Sequence, residues 1–206
     1  MRQLGQALVV VGLLLTIGAC AAMSEIQTPS CRAALLVIDM QRAWVGSDAL
    51  TADGAHVTSN VAGIVDSARA AGIPVIFVVD VSMRWRFGER QLSLVDPLEV
   101  LEEDQIVEKR RQNGFLETDL ADLLRGMGAT ALLITGYASH ECVRATVEGA
   151  LEEGFEIIIV EDGHSGGVGG REATRQNWIW GRRGIRVASS AEIDFADPCA
   201  PVDSEE

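Results

Sequence analysis

Continuous apolar runs separated by helical patterns are the feature that most constrains the fold of this chain. Four such runs alternate with helical patterns: Ala33–Asp39 (AALLVID), Pro74–Asp80 (PVIFVVD), Ala129–Thr135 (ATALLIT) and Phe155–Val160 (FEIIIV). They are rich in Leu, Val and Ile and do not alternate with polar residues. This pattern is typical of strands buried on both faces of a parallel sheet. Shorter strands are predicted at Ile106–Lys109 and Ile185–Ala188.

The segments between the strands predict the helices. Apolar residues at helical spacing predict helices over 56–71, Leu120–Arg125, Glu141–Glu153 and Arg171–Trp180. Because strands alternate with helices, we predict one α/β domain with three layers: a mostly parallel, Rossmann-like sheet with helices on both faces. Residues 81–104 are irregular and charged, which is typical of a long functional loop.

The composition excludes two classes of protein. The 206 residues are 48% hydrophobic and 23% charged, so the chain is not intrinsically disordered. The 30 Asp and Glu residues exceed the 17 Lys and Arg residues, giving a net charge of −13. Without a basic excess to neutralise phosphates, we expect no nucleic-acid partner.

The N-terminal residues have the pattern of an export signal. The apolar stretch Ala7–Ile17 is too short to span a bilayer core of roughly 30 Å and fits a signal-peptide core. Ile17-Gly18-Ala19-Cys20 resembles a bacterial lipobox, so we predict a lipoprotein signal peptide over 1–19, lipidation of Cys20 and a tether over 20–31. The alternative is a plain signal peptide with Cys20 incidental. The expected location is the periplasmic side of a cell envelope, with membrane contact only through the lipid.

Two further cysteines are predicted to pair. Cys31 precedes the first strand, and Cys199 lies in the predicted C-terminal tail, 196–206. An exported chain meets an oxidising environment, and the residues beyond Ile193 reach far enough to return to that edge of the sheet. We therefore predict a disulfide between Cys31 and Cys199. The alternative is a disordered tail with a free Cys199.

Polar side chains at the carboxyl ends of the strands predict the functional site. Asp39, Asp80 and Lys109 end three strands, and Cys142 follows the turn after the fourth. Ligands of open α/β sheets bind at this edge. A cysteine at the start of a helix is expected to have a lowered pKa, and the N–H groups there suit an oxyanion. The alternatives are a buried structural cysteine or a thiol redox role, for which no resolving cysteine lies nearby in sequence.

Three motifs resemble those of the isochorismatase-like cysteine hydrolases. They are LLVIDMQ at 35–41, Lys109 followed by Gly114-Phe115 and Thr118-x-Leu120, and TGYASHECV at 135–143. The resemblance covers about residues 33–192, with the motifs in the family's order. It implies that Cys142 is the nucleophile, Asp39 the general base and Lys109 the third member of the triad. It also implies a cis peptide between Tyr137 and Ala138, an oxyanion hole made by the amides of Ala138 and Cys142, no cofactor, and a homo-oligomer.

Two departures from the family's patterns refine the expected chemistry. Nicotinamidases of the family carry an Asp-x-His metal motif after the second strand, where this chain has Asp80-Val81-Ser82. We therefore expect no metal, and nicotinamidase activity is disfavoured. Isochorismatases proper lack the nucleophilic cysteine, so Cys142 favours covalent hydrolysis of a C–N bond.

Further side chains are candidates for the substrate pocket. They are Asp80, Trp85, Tyr137 and His140. Trp85, with its neighbours Arg84 and Arg86, suits a planar or anionic substrate, although surface packing is the alternative. Asp80 is equally suited to capping a turn, and His140 to a rim position. For His56 and His164 we expect a structural or solvent-facing role, and for the glycines of 163–170 a flexible rim.

The sequence thus predicts a hydrolase domain over 32–195. We expect a cysteine hydrolase that cleaves an amide or carbamoyl-type bond of a small molecule through a thioester acyl-enzyme. Two alternatives stay open. One is a catalytically silent binding lipoprotein of the same fold, and the other is isochorismatase-like hydrolysis of another bond type.

Overall fold

A parallel sheet organises the chain from Cys31 onward. The structure is a computed structural model that describes residues 31–46, 52–166 and 170–200. The predicted signal peptide, Cys20 and most of the tether lie outside the described residues. Within the described part of the chain, no helix is long and apolar enough to cross a membrane.

The described residues contain six strands, all parallel, in the order β3-β2-β1-β4-β5-β6. They are β1 (Ala33–Ile38), β2 (Val75–Asp80), β3 (Gln105–Lys109), β4 (Ala131–Tyr137), β5 (Glu156–Ser165) and β6 (Arg186–Ala188). The predicted α/β class is confirmed. Strand order reverses between β1 and β4, which is where ligands of such sheets bind.

Helices connect these strands. They are α1 (Arg42–Val45), α2 (Ala52–Ala70), α3 (Glu89–Leu92), α4 (Leu120–Gly126), a π-helix (Ser139–Val143), α5 (Arg144–Glu152) and α6 (Arg171–Arg182). The short helix α3 interrupts the segment predicted to be an irregular loop. The helix expected to begin at Glu141 starts instead with the π-helix and continues as α5.

The side chains of alternate strand residues pack into two separate hydrophobic cores, one on each face of the sheet. Leu35 and Val37 of β1 face the core beneath α2, whereas Leu36 and Ile38 face the core beneath α4, α5 and α6. All four side chains are buried. Successive side chains of a strand point to opposite faces, so a strand covered on both sides must be apolar throughout. This explains the continuous apolar runs of the sequence.

A disulfide links the start of the sheet to the C-terminal segment. Cys31 and Cys199 are bonded, with their Cα atoms 6.1 Å apart, within the range usual for disulfides. The segment that carries Cys199 packs against the α2 core through Ile193 and Phe195. The cross-link therefore holds this segment beside the amino end of β1.

The glycine-rich segment after β5 is more ordered than predicted. Gly163, His164 and Ser165 belong to β5 and are buried, and His164 and Ser165 pair with Gly136 and Tyr137 of β4. The flexible rim expected over 163–170 is wrong for these residues. β5 therefore extends five residues beyond the predicted end at Val160, because its last residues pair with the central strand β4.

Candidate active site

Two strand ends meet closely at the site because Gly136 has no side chain. Ile38 of β1 pairs with Gly136 of β4, and a Cβ atom on Gly136 would overlap the backbone carbonyl of Ile38. Gly136 also has a φ of 127°, which glycine tolerates best. The close approach places the turn after β4 next to Asp39, which follows β1 with a φ of 50°.

The three residues predicted as a triad come together at this edge. Lys109 Nζ lies 2.8 Å from Asp39 Oδ2 and 3.4 Å from Cys142 Sγ. It also donates to the carbonyl of Arg111 at 3.1 Å. Lys109 is fully buried and Asp39 is nearly so. A buried ammonium with three such neighbours is fixed in both position and charge.

Burial dominates the electrostatics of the carboxylate and the thiol. It raises the pKa of Asp39 to about 6, although the adjacent Lys109 ammonium acts in the opposite direction. Burial and the Asp39 charge raise the pKa of Cys142 to about 12. Burial by itself lowers the pKa of Lys109, but Asp39 and Cys142 reverse this effect, so the pKa lies above its ordinary value. Lys109 is therefore an ammonium at neutral pH.

The predicted lowering of the Cys142 pKa is wrong. The thiol is half-buried and sits beside a carboxylate, and both conditions disfavour a second negative charge. They outweigh the effect expected from a helix start. At neutral pH the site therefore holds a neutral thiol between a carboxylate and an ammonium.

The turn before Cys142 presents backbone amides. The peptide between Tyr137 and Ala138 is cis, as the family resemblance implied. The carbonyl of Ala138 accepts from the amides of Glu141 and Val143. Among the described residues, the amide of Ala138 donates to no acceptor. Within that part of the chain, nothing competes with a ligand for this donor.

A cavity of about 200 Å³ opens beside the triad. Its walls combine the carboxyl ends of β1, β2 and β4 with α1 and the π-helix. The lining residues are Asp39, Ala43, Trp44, Asp80, Gln112, Tyr137, Ala138, Glu141 and Cys142. Of the residues predicted for the substrate pocket, Asp80 and Tyr137 lie here. The cavity is also lined by Trp44, Gln112 and Glu141, which the sequence pattern did not assign to the pocket, although Glu141 belongs to the motif that carries Cys142.

Two predicted pocket residues lie elsewhere. Trp85 is 79% exposed and does not line the cavity, so the surface alternative describes it better. Its neighbour Arg84 pairs with Glu108 on the outer strand β3. His140 also does not line the cavity. Its Nδ1 is turned toward Gly166 instead.

Asp80 combines the two roles considered for it. Its Oδ1 accepts from the amide of Ser82 at 2.7 Å, which caps the turn after β2. Its Oδ2 lies 3.8 Å from Lys109 Nζ, and the side chain lines the cavity. Gln41 holds the strand end in place, because its Oε1 accepts from the amide of Asp80 at 2.8 Å.

A buried hydrogen-bond network connects the π-helix that carries Cys142 to β5 and α6. Ser139 Oγ lies 2.8 Å from His164 Nδ1, and His164 Nε2 lies 2.8 Å from Asn177 Oδ1. Asn177 Nδ2 donates to the carbonyl of Glu161, so Oδ1 must accept from His164. The imidazole then carries its proton on Nε2, and Ser139 donates to Nδ1. Burial lowers the pKa of His164 to about 4, which keeps it neutral.

A family model that matches most of the chain shows which family the protein belongs to. The family model described as an isochorismatase domain matches residues 33–182. The chain belongs to the isochorismatase family. The strand-end site lies within the matched residues.

Two of the similar proteins are named as a hydrolase and an amidohydrolase. Streptothricin hydrolase of Streptomyces noursei is 31% identical over 135 residues, which cover 64% of this chain and 49% of that protein. The chain thus spans about half the length of that hydrolase. Ureidoacrylate amidohydrolase RutB of Yersinia enterocolitica is 27% identical over 187 residues, which cover 71% of this chain and 81% of that protein.

Solved structures of similar proteins share the fold. N-carbamoylsarcosine amidase of Thermoplasma acidophilum superposes with a TM-score of 0.69 at 25% identity, covering 79% of this chain and 99% of that one. Pyrazinamidase of Pyrococcus horikoshii, solved in complex with zinc, gives a TM-score of 0.66 at 27% identity, covering 77% and 99%.

The zinc complex of that relative raises the question of a metal in this isochorismatase-family chain. Asp80 already caps a turn and lies near Lys109, and no histidine follows it in the Asp80-Val81-Ser82 sequence. Among the described residues, no group of three His, Cys, Asp or Glu side chains is arranged to hold a metal ion. The side chains at this position do not fit a metal site. That the activity needs no metal stays a prediction.

Proposed function

We propose that the protein is a cysteine hydrolase that cleaves an amide or carbamoyl-type C–N bond of a small molecule through a thioester intermediate. One observation carries the proposal: Lys109 Nζ is within hydrogen-bond reach of both Asp39 Oδ2 and Cys142 Sγ, beside a cavity. The names of the relatives support the bond type, since they include an amidohydrolase and a carbamoylsarcosine amidase.

The resting site is a charge pair next to a neutral thiol. Above pH 6, Asp39 is ionised and Lys109 is protonated, because their pKa values lie at about 6 and above the ordinary lysine value. The thiol stays protonated because its pKa is about 12. Cys142 therefore needs a base at the moment of attack, and the adjacent carboxylate is placed to act as one.

Acylation starts when the thiol proton moves to Asp39. The Cys142 sulfur attacks the carbonyl carbon, and the C=O electron pair moves onto oxygen. The amides of Ala138 and Cys142 donate to this oxyanion. The intermediate collapses, the C–N bond breaks, and the proton on Asp39 passes to the leaving nitrogen. A thioester on Cys142 and a free amine or ammonia result.

Deacylation uses the same carboxylate. Asp39 takes a proton from water, and the hydroxide attacks the thioester carbon. The C–S bond then breaks, the acid leaves, and the proton returns to the Cys142 sulfur. Lys109 keeps its proton throughout. Its charge stabilises Asp39 while the carboxylate is ionised and the sulfur while it is a thiolate.

A panel of small amides, ureas and carbamoyl compounds, assayed for ammonia or amine release, tests the proposal. With any substrate found, Cys142→Ala is expected to abolish turnover. Asp39→Asn is expected to lower kcat by about 10²-fold or more, because an amide cannot accept the thiol proton. Unfolding curves of both variants check that the fold persists.

A direct test traps the intermediate. A slowly hydrolysed activated ester should add one acyl group to the wild-type protein, mapped to Cys142 by peptide mass, and none to Cys142→Ala. A substrate that Cys142→Ala turns over at more than a small fraction of the wild-type rate would exclude covalent catalysis by this residue. Absence of both turnover and adduct would favour the binding lipoprotein instead.

A further inference from the structure

We propose that the cavity beside Cys142 selects substrates that carry a neutral or cationic group next to the scissile bond, and that Glu141 is the residue that disfavours a carboxylate there. This inference rests on the proposed function, because it takes the cavity as the substrate site. It adds the charge class of the substrate, which neither the fold nor the triad determines.

The cavity wall is acidic. Three of its lining residues are carboxylates, Asp39, Asp80 and Glu141, and none of the described lining residues is a lysine or arginine. Lys109 lies behind this wall, fully buried, and its Nζ is engaged by Asp39 and the carbonyl of Arg111. One ammonium against three carboxylates leaves a negative potential in the cavity.

The arginines nearest in sequence offer no cation to a substrate carboxylate. Arg42, next to Ala43 of the wall, pairs with Asp96 at 2.6 Å. Arg111 pairs with Glu117 at 3.0 Å. Arg110 and Arg144 are exposed and do not line the cavity, and Arg144 donates from its Nε to the carbonyl of His140. A substrate carboxylate would therefore lose its hydration without gaining an ionic partner.

The wall instead suits donors and cations. Asp39 and Asp80 both line the cavity with carboxylates, which accept hydrogen bonds from N–H donors and attract cations. The indole of Trp44, held by a hydrogen bond from its Nε1 to Gln41 Oε1 at 3.2 Å, adds an aromatic surface. Aromatic faces attract ammonium groups.

Glu141 is the carboxylate available for selection. Asp39 and Asp80 are both held near Lys109, whereas the Glu141 side chain is 56% exposed and its Oε1 lies 3.9 Å from His140 Nε2. It directly precedes the nucleophile in sequence and lines the cavity. Its charge therefore acts on the part of a substrate that lies closest to the reacting bond.

Methanethiosulfonate reagents of different charge test the proposal without a known substrate. Each reacts with Cys142 in the same way: the sulfur displaces methanesulfinate, forms a mixed disulfide and loses the thiol proton. The trimethylammonioethyl reagent is cationic and the sulfonatoethyl reagent is anionic. Rates of mass increase at Cys142 give a cation-to-anion ratio, which is divided by the same ratio for 2-mercaptoethanol at equal ionic strength.

The normalised ratio is expected to exceed five in the wild type and to fall roughly five-fold in Glu141→Gln, the factor that corresponds to a charge interaction of about 1 kcal/mol. Glu152→Gln, an exposed α5 residue that does not line the cavity, makes the same change in net charge and should leave the ratio unchanged. High salt should reduce the wild-type ratio.

Two outcomes would overturn the inference: a normalised ratio near one in the wild type, or equal effects of Glu141→Gln and Glu152→Gln. The readout needs no turnover, so it separates this inference from the proposed function. A flat ratio together with a trapped acyl-Cys142 refutes the charge selection alone. A clear ratio without turnover or an acyl adduct refutes the cysteine-hydrolase function and leaves a cavity that prefers cations.

Discussion

At the scale of single residues, burial gives Asp39 a different chemistry from that of an exposed aspartate. Its pKa rises from 3.8 to about 6, which brings a carboxylate into the range of an efficient general base near neutral pH. The folded protein then holds a proton that the unfolded chain releases between pH 3.8 and about 6. Ionisation of Asp39 therefore lowers the free energy of unfolding as pH rises through that window.

The raised pKa of Asp39 predicts how the activity falls at acidic pH. Only ionised Asp39 can accept the thiol proton, so kcat/KM is expected to rise with pH, with a midpoint near 6. Rates measured from pH 4 to 8 on any active substrate check this. A midpoint near 4, the pKa of an ordinary aspartate, would show that burial does not raise the pKa of the catalytic base.

At the scale of elements, the site depends on how closely β1 and β4 approach. Gly136→Ala places a Cβ atom against the backbone of Ile38 at a φ of 127°. Since the backbone of a buried central strand cannot yield, we expect a loss of more than about 3 kcal/mol in the free energy of unfolding, or no soluble protein.

Gly126→Ala is the matched control for this prediction. Gly126 ends α4, and a Cβ atom there meets nothing within 4 Å. This variant should retain or slightly increase stability, because alanine favours helix over glycine. Urea unfolding of both variants gives the comparison. Equal stabilities would mean that β1 and β4 can separate to accept a side chain.

The contact between the π-helix and β5 gives a second prediction at this scale. Ser139→Ala removes the donor to His164 Nδ1 and leaves a buried acceptor unpaired, so we expect a loss of about 1–3 kcal/mol in the free energy of unfolding. Ser67→Ala is the control, because its hydroxyl bonds to the Gly63 carbonyl at the surface. Its effect should stay within about 0.5 kcal/mol; a similar loss in both variants would contradict the network's role.

At the scale of the whole molecule, one cross-link spans nearly the entire domain. The bond between Cys31 and Cys199 closes a separation of 168 residues. Closing so long a loop stabilises the folded chain by up to roughly 5 kcal/mol in the entropy model. Thiol counting on the unreduced, denatured mature protein is expected to find one free thiol, Cys142, besides any thiol at the lipidation site. Three free thiols would refute the pairing.

Export and lipidation also belong to this scale and remain proposals. The lipobox-like sequence that ends at Cys20 predicts that globomycin, which blocks the lipoprotein signal peptidase, makes the precursor accumulate. Labelled palmitate should enter the wild-type protein and not Cys20→Ser. A freely soluble periplasmic product without label would mean a plain signal peptide. The predicted homo-oligomer also stays a prediction, which sedimentation of the purified protein would check.

The sequence by itself determined the layered sheet and the positions of the polar strand ends. Apolar runs report burial on both faces of a strand, and parallel strands bring their carboxyl ends to one edge. This is why Asp39, Lys109 and Cys142 were expected together although they are far apart in the chain. Such signals are carried by the order of residues and do not depend on how the loops pack.

Only the tertiary structure decided which side chains surround Cys142 and how they are charged. Trp44 and Glu141 line the cavity while Trp85 faces solvent, because the path of the loops, not their composition, sets where a side chain points. The pKa of Cys142 is raised by the burial of the site and by a carboxylate from another strand. Desolvation depends on everything packed around a group, so a local sequence pattern does not contain it.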